Sequence, residues 1–132
     1  MSRIPFDPSA PILPFECSVE FKTRHTFTMV LGTGASYTII SQAAAIEVGF
    51  DLGQITETIS FGDASQTHMA TKVTLKSFSL ADAKVDNLDA LIYTIPEEYG
   101  VDGVIGLNFL RHFNITLDFE QGTLTLERFK GL

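Results

Sequence analysis

Residues 28–40 constrain the fold more than any other stretch of the chain. Two short apolar runs, residues 29–31 and 39–40, are joined there by the small residues Gly-Thr-Gly-Ala-Ser. Short apolar runs bounded by glycine are typical of buried strands, and small residues let two backbones approach closely at a sharp turn. The stretch therefore predicts a strand, a tight loop and a second buried strand, around which the remaining elements can be placed.

The length of the chain limits it to one domain. At 132 residues it can enclose one core, but it is too short for two lobes that each supply a copy of such a loop. We predict a Pro-rich N-terminal arm at residues 1–14 and a single domain at residues 15–132. Proline lacks the backbone donor that a sheet interior needs, so the arm is predicted to lie extended at a sheet edge.

Composition and charge exclude several classes of function. The net charge of −7 argues against a nucleic-acid partner, because such binding depends on clustered lysine and arginine. Hydrophobic residues make up 45% of the chain without a long apolar run, which predicts a soluble globular domain and no membrane partner. Residues 1–14 are interrupted by prolines and do not resemble a signal peptide, so a cytoplasmic location is predicted.

The residues that could bind a metal are scattered. His25, His68 and His112 are far apart in the sequence, and Cys17 is the single cysteine. They lack the spacing of a metal site, and one cysteine cannot form an internal disulfide. No metal and no cofactor are therefore predicted, and Cys17 is interpreted as a small core residue.

Alternating and capping patterns predict the first half of the domain. Apolar residues alternate with polar ones over residues 15–21, which indicates a half-buried strand, and residues 26–31 return as a second strand. Ser41 is a suitable N-cap for a short helix over residues 42–48. Gly49 can end that helix in a left-handed conformation.

A hairpin and a second apolar turn are predicted in the other half. Residues 55–61 and 66–78 form two strands around a turn at residues 62–65, and residues 85–94 form another strand before a polar loop at 95–100. An apolar pair at residues 104–105, a glycine at position 106 and a short helix then follow. The order strand, strand, apolar pair, glycine, helix thus occurs twice. A closing hairpin is indicated by alternation at Ile115, Leu117 and Phe119 and again at Leu124 and Leu126.

Two motifs carry a resemblance to a known family. The sequence Gly-Thr-Gly-Ala-Ser at residues 32–36 resembles the active-site loop of single-domain retropepsin-like aspartic proteases, which reads Asp-Thr-Gly-Ala-Ser. The Val-Ile-Gly at residues 104–106, followed by a short helix, resembles the second signature of that family. The resemblance covers residues 15–127. It implies a mainly β, retropepsin-like acid-protease fold: a closed sheet with a flap hairpin and one or two short helices.

The resemblance also implies a mechanism that this chain cannot complete. In the family, two aspartates in a homodimer share a proton, one activates a water, and the other donates to the carbonyl oxygen of a peptide or protein substrate. Gly32 stands where the family carries that aspartate. The chain is therefore predicted to be an aspartic endopeptidase by family that is inactive in this form.

Roles for individual residues follow from the resemblance. At the catalytic position and beside it, Gly32 replaces the aspartate and Thr33 grips the other protomer through its hydroxyl. Gly34 allows close approach, and Ser36 would hydrogen-bond the missing carboxylate. The residues implied to contact substrate lie in the loop, the flap and the second signature: Ala35, Phe61, Gly62, Asp63, Ala64, Val104 and Ile105.

The second signature departs from the viral members of the family. Leu107 replaces an arginine that helps to fix the viral dimer, and Asn108 is interpreted as a helix cap. Residues 124–132 and the N-terminal arm are predicted to supply interface strands instead. Asp63 and Asp102 are the nearest other acids in the sequence, and both are interpreted as turn residues.

Three hypotheses remain open from the sequence. The chain is a disabled endopeptidase, a naturally inactive pseudoprotease that binds extended peptides by strand addition, or a β-rich structural domain without a cleft. Asp and Gly codons differ by one base, so the natural codon 32 would separate the first two hypotheses. The intact loop and hairpin favour either of them over the third.

Overall fold

The computed structural model describes residues 1–62 and 67–129. Within these residues the chain forms ten strands, two short α-helices and one turn of 3₁₀ helix at Glu97–Tyr99. The elements are β1 (Ser2–Pro5), β2 (Pro14–Glu20), β3 (Arg24–Leu31), β4 (Thr38–Ile40), α1 (Gln42–Glu47), β5 (Thr58–Gly62), β6 (Thr67–Leu80), β7 (Ala83–Ile92), β8 (Gly103–Ile105), α2 (Leu107–Leu110), β9 (Phe113–Asp118) and β10 (Thr123–Arg128).

Seven strands form one sheet that closes on itself. Their order is β2-β3-β8-β4-β7-β6-β5, and an additional pairing of β2 with β6 makes the sheet barrel-like. The pairs β3–β8 and β4–β7 are parallel, whereas the other pairs are antiparallel. The predicted mainly β, closed-sheet architecture is therefore confirmed.

The two ends of the chain meet in a separate three-stranded sheet. Its order is β1-β10-β9, so β1 lies at an edge, as expected for a proline-rich arm. β10 lies in the middle with both edges paired, and Leu124 and Leu126 are buried in the core. The prediction of an interface strand in residues 124–132 is therefore wrong for β10, because no backbone edge is left there. Residues 130–132 lie outside the described part of the chain.

The core lies where the predicted alternation places it. On β2, Phe15, Cys17 and Val19 are buried and face the interior, while the intervening polar residues face outward. The largest fully buried side chains include Met29 and Phe109. Burying an apolar side chain of this size contributes about 1.5–3 kcal/mol, so these positions account for much of the folding free energy.

The helix after the central loop begins and ends as predicted. The Ser41 hydroxyl oxygen accepts a hydrogen bond from the Ala44 backbone N–H at 3.1 Å, which caps α1. Gly49 follows with φ of 109°, and a Cβ there would lie 2.7 Å from the Lys22 Cβ. Both the conformation and the contact favour glycine at this position.

The predicted hairpin forms, but its first strand is shorter than expected. β5 pairs with β6 in antiparallel register from Thr58 opposite Thr71 to Gly62 opposite Thr67. Residues 55–57 precede the strand: Ile55 packs against the core, and the Glu57 carbonyl accepts from the Lys72 N–H at 2.9 Å. No helix in the described residues is both long enough and apolar enough to span a membrane.

Candidate active site

The central loop begins where β3 leaves β8. The parallel register places Val30 beside Val104 and Leu31 beside Ile105. The Gly32 N–H then donates to the Ile105 carbonyl at 3.0 Å, which extends the ladder by one residue. The next bond closes a turn, with the Ala35 N–H donating to the Gly32 carbonyl at 3.1 Å. Position 32 is thus held between a strand and a tight turn.

The residues that follow Gly32 face solvent. Thr33, Gly34 and Ser36 are exposed, and Ala35 is half-buried. Within residues 1–62 and 67–129, the hydroxyls of Thr33 and Ser36 form no hydrogen bond. The roles that the resemblance implies for these two hydroxyls need a second protomer or a carboxylate at position 32, so those roles remain predictions.

The second signature and the helix that follows it are hydrogen-bonded to the central loop. The Leu107 N–H donates to the Ala35 carbonyl at 2.8 Å, and the Asn108 N–H donates to the Ser36 carbonyl at 3.2 Å. Gly106 allows the two segments of the chain to cross closely, because a Cβ at this position would lie 2.5 Å from the Thr38 nitrogen and still closer to the Tyr37 carbonyl. The second signature and the central loop are therefore joined by hydrogen bonds between their backbones.

Asn108 has a different role from the one predicted. It lies inside α2, whose N-cap is Gly106, so the interpretation as a helix cap is wrong. Its Oδ1 accepts from the Thr38 N–H at 2.8 Å and from the Thr38 hydroxyl at 2.9 Å, and its Nδ2 donates to the Asp89 carbonyl at 2.6 Å. Asn108 therefore ties β4 and β7 together under the loop.

Thr38 is a site residue that the sequence interpretation missed. It is fully buried, and its hydroxyl accepts from the Gly106 N–H at 3.1 Å while donating to Asn108. Buried polar groups are nearly always hydrogen-bonded. A threonine at the start of the apolar strand at residues 38–40 was the available signal for such a network.

Position 32 is crowded although it carries no side chain. A Cβ placed on Gly32 would overlap Cγ1 of Val104, whereas its next neighbours are the Ile105 carbonyl oxygen at 3.6 Å and the Ala35 Cβ at 3.8 Å. Val104 is half-buried beside the loop. The side chain of the next residue, Ile105, points to the opposite face of β8. The predicted substrate contact of Ile105 is therefore wrong, because its side chain is fully buried in the core.

The predicted contacts from the hairpin are only partly described. Phe61 and Gly62 end β5, with their backbones opposite His68 and Thr67, while the side chain of Phe61 is outside the description. Asp63 and Ala64 lie outside the described residues. Substrate contact by this hairpin remains a prediction.

Lys72 anchors the base of the hairpin. Its Nζ lies 3.5 Å from the Asp89 carboxylate and 3.6 Å from that of Glu57, just before β5. The Asp89 carboxylate, with a smaller contribution from Glu57, raises the pKa of Lys72. Asp89 also accepts from Asn108 through its backbone carbonyl, so the hairpin base and the central loop share one polar network.

The Asp102 carboxylate is engaged in a structural hydrogen bond. It is therefore not available to replace the aspartate that the family carries at position 32. Its carboxylate accepts from the Thr28 N–H at 3.0 Å, and its carbonyl accepts from the Ser41 N–H at 2.8 Å. These bonds join β3 to the start of α1. Asp102, interpreted from the sequence as a turn residue, lies at a bend just before β8, and its carboxylate is occupied by a backbone partner.

Among the described residues, the other titratable side chains do not form a second chemical centre. Burial raises the pKa of the Cys17 thiol, which therefore stays protonated at neutral pH. In the described parts of the chain, no three His, Cys, Asp or Glu residues are grouped so that they could hold a metal ion. The site is thus defined by the loop and by the turn behind it.

Comparisons with known proteins agree with this geometry. Residues 17–112 match the family described as "gag-polyprotein putative aspartyl protease". A crystal structure of a retropepsin-like aspartic protease from Rickettsia conorii superposes with a TM-score of 0.74 at 19% identity, covering 95% of this chain and 89% of that one. A search of curated proteins found no match. Since the family match spans most of the sequence, the chain belongs to the retropepsin-like aspartic protease family.

Proposed function

We propose that the chain is a retropepsin-like aspartic endopeptidase in a form that has lost its catalytic carboxylate. In this proposal, two copies form a homodimer that holds an extended peptide between their central loops and does not cleave it. The observation that carries the proposal is Gly32, which begins an otherwise intact Thr-Gly-Ala-Ser loop. The loop keeps the supporting residues and lacks the reacting group.

Loss of the carboxylate removes both parts of the chemistry. One aspartate must take a proton from the attacking water, and its partner must donate one to the carbonyl oxygen. General acid–base catalysis alone contributes roughly 10²–10⁴-fold in rate, so a dimer without either group has no useful proteolytic activity. The hydroxyls of Thr33 and Ser36 are poor bases at neutral pH and do not replace the lost carboxylate.

A homodimer is supported by the single loop and by an open strand edge. One chain supplies half of a two-carboxylate site, and a twofold axis through the loop supplies the other half. Among the described residues, β9 pairs with β10 alone, which leaves its other edge unpaired. Ile115 on this strand is 36% exposed and Phe119 after it is 54% exposed. Unprotected apolar edges favour pairing with another chain, so we place the interface strand at β9.

The proposed ligand is an extended segment of a peptide or protein. The β5–β6 hairpin and the exposed loop offer backbone groups on two sides, which suits recognition by strand addition. Val104 and Ala35 supply the apolar floor beside Gly32. Residues 15–132 would form the peptide-binding domain, with residues 1–14 as an arm.

The proposal is tested by restoring the carboxylate. We compare the unmodified chain, Gly32→Asp and Gly32→Asn in casein hydrolysis between about pH 4 and 6, where a carboxylate pair holds one proton. Only Gly32→Asp is expected to cleave, and a pepstatin-like inhibitor should block it by mimicking the tetrahedral intermediate. Sedimentation should give twice the monomer mass for all three. Cleavage by the Asn variant, or monomers throughout, would contradict the proposal.

A naturally inactive pseudoprotease is the second candidate, and one observation favours it. The methyl group of Val104 fills the space that a side chain at position 32 would need. If Gly32→Asp folds and dimerises but cleaves nothing, even together with Val104→Ala, a peptide-binding pseudoprotease becomes the better assignment.

A further inference from the structure

We infer that Lys72 is a positioning residue, whose ammonium group sets the angle at which the β5–β6 hairpin leaves the sheet and thereby controls how tightly a peptide is held beside the central loop. The inference rests on the proposed function in taking a peptide as the ligand. Three observations carry it: where Lys72 lies on β6, which face of the sheet it occupies, and the two carboxylates that contact its ammonium group.

The hairpin is supported by a third strand only as far as Thr71. Among the described residues, β6 pairs with β7 from Leu80 opposite Ala83 to Thr71 opposite Ile92, whereas residues 67–70 pair with β5 alone. A two-stranded ribbon has little stability of its own, so bending is concentrated where the third strand ends. Lys72 is the residue next to that point.

Lys72 shares a face of the sheet with the side chain beside Gly32. Its register partner on β7 is Leu91, and Leu91 lies beside Ile39 of β4. Ile39 in turn is opposite Val104 of β8, whose side chain is the nearest group to an added Cβ at position 32. Side chains at directly paired positions project to the same face. Lys72 therefore lies on the face of the sheet that carries the candidate site.

The ammonium group joins the hairpin to the body of the sheet. Its Nζ lies 3.6 Å from the carboxylate of Glu57, which immediately precedes β5, and 3.5 Å from that of Asp89 on β7. The Thr74 hydroxyl donates to the Asp89 carboxylate at 2.9 Å and holds it in place. Because both carboxylates approach one nitrogen, they lie within about 7 Å of each other. Without the cation they repel, so loss of Lys72 drives the start of the hairpin away from β7.

The β7 end of this bridge is tied to the central loop. The Asp89 carbonyl accepts from Asn108 Nδ2 at 2.6 Å, and Asn108 Oδ1 accepts from the Thr38 N–H at 2.8 Å, just after the loop. The hairpin is thus connected to the loop through one series of polar contacts. Partly exposed ion pairs are weak, so we expect the bridge to change the equilibrium for holding a peptide by about three- to tenfold.

Distances between spin labels test the inference without requiring activity. Cys17 is buried, so labels are directed to introduced cysteines: Met69→Cys on the hairpin and Ile46→Cys on α1, at positions 61% and 59% exposed. Labelled chain is mixed with an excess of unlabelled chain, so that distances within one protomer are measured. Met69 lies about 7 Å beyond Thr71 along the strand, so a tilt of about 20–30° moves its label by roughly 2–4 Å.

Lys72→Met should shift or broaden the distance distribution by that amount, whereas Lys72→Arg keeps the cation and should leave the distribution unchanged. The matched control is Lys76→Met, which removes the same charge from the part of β6 that pairs with β7, where its partner is Glu20. Both methionine variants should lower the melting temperature by less than about 4 °C, so a general loss of stability does not distinguish them.

The inference is overturned if Lys72→Met leaves the distribution unchanged, or if Lys72→Arg or Lys76→Met alters it equally. Casein hydrolysis then extends the test to the ligand. In the Gly32→Asp background, Lys72→Met should raise KM about three- to tenfold and change kcat by less than about twofold, because binding in the ground and transition states is weakened alike. An unchanged KM would also overturn the inference. If Gly32→Asp cleaves nothing, the proposed endopeptidase function fails, while the label distances still decide whether Lys72 positions the hairpin.

Discussion

Gly32 and Gly106 are both crowded, but for different reasons. At Gly106 an added Cβ would meet the backbone of Tyr37 and Thr38, where two chain segments cross. At Gly32 it would meet one methyl group of Val104. Backbone cannot be shortened by mutation, whereas a side chain can. Glycine at position 106 is therefore required by the fold itself, while the crowding at position 32 comes from one side chain that can shift.

The largest effect is expected from Gly106→Ala. The added methyl would have to displace the crossing of β4 and α2, so we expect a loss of about 4 kcal/mol or more and a largely unfolded chain. The loss of unfolding free energy is measured by urea denaturation monitored by circular dichroism. Gly53→Ala is the control, because a Cβ there meets only the Asp51 carboxylate oxygen at 3.4 Å. A near-native midpoint for Gly106→Ala would remove the distinction between the two glycines.

Asn108→Ala should have the next largest effect. It leaves the Thr38 N–H and the Asp89 carbonyl without their partners in a buried region, at a cost of about 2–4 kcal/mol. Gln54→Ala, at an exposed position between α1 and β5, should change stability by less than about 0.5 kcal/mol. Equal denaturation midpoints for the two variants would show that side-chain bonds add little to the backbone crossing at Gly106.

Gly32→Asp is expected to cost about 1–2 kcal/mol at neutral pH and less in acid. In the proposed homodimer, two carboxylates near the twofold axis would repel, which would raise the pKa of one above its unfolded value of about 3.9. A carboxyl whose folded pKa is raised favours folding below the unfolded pKa and loses that contribution as pH rises through the folded pKa. The deficit relative to the unmodified chain should therefore grow from pH 4 to 7.

Gly32→Asn separates charge from packing in that measurement. It has the same shape without the charge, so its cost should come from Val104 alone and stay constant with pH between 4 and 7. Melting temperatures of both variants across this range give the comparison. If Gly32→Asp were clearly more stable than the unmodified chain at pH 7, both the repulsion and the overlap would be refuted.

Gly34→Ala should have the smallest effect, within about 0.5 kcal/mol of zero. Its Cβ would enter open space, in the same loop as Gly32. The denaturation midpoint measured at low protein concentration reports on folding rather than association. A loss as large as that of Gly32→Ala would mean that the whole loop resists side chains, and Val104 would no longer explain the difference.

Much of the fold could be predicted from local patterns. The alternation at residues 15–21, the Ser41 cap and the positive φ of Gly49 each depend on residues within a few positions of one another. Periodicity and capping are properties of short segments, which is why they are visible in the sequence. The Gly-Thr-Gly-Ala-Ser motif likewise indicated the family before any contact was known.

Only the tertiary structure decided how the site is held together. Thr38 and Asn108 are 70 residues apart, so no local pattern connects them, and the local sequence favours a helix cap at Asn108. The central place of β10 depends on β1 from the other end of the chain. Val104 meets position 32 because β8 runs parallel to β3, and parallel strands are paired through long connections. The residue type at position 32 was therefore determined by the sequence, whereas the space around it was determined by packing between distant segments.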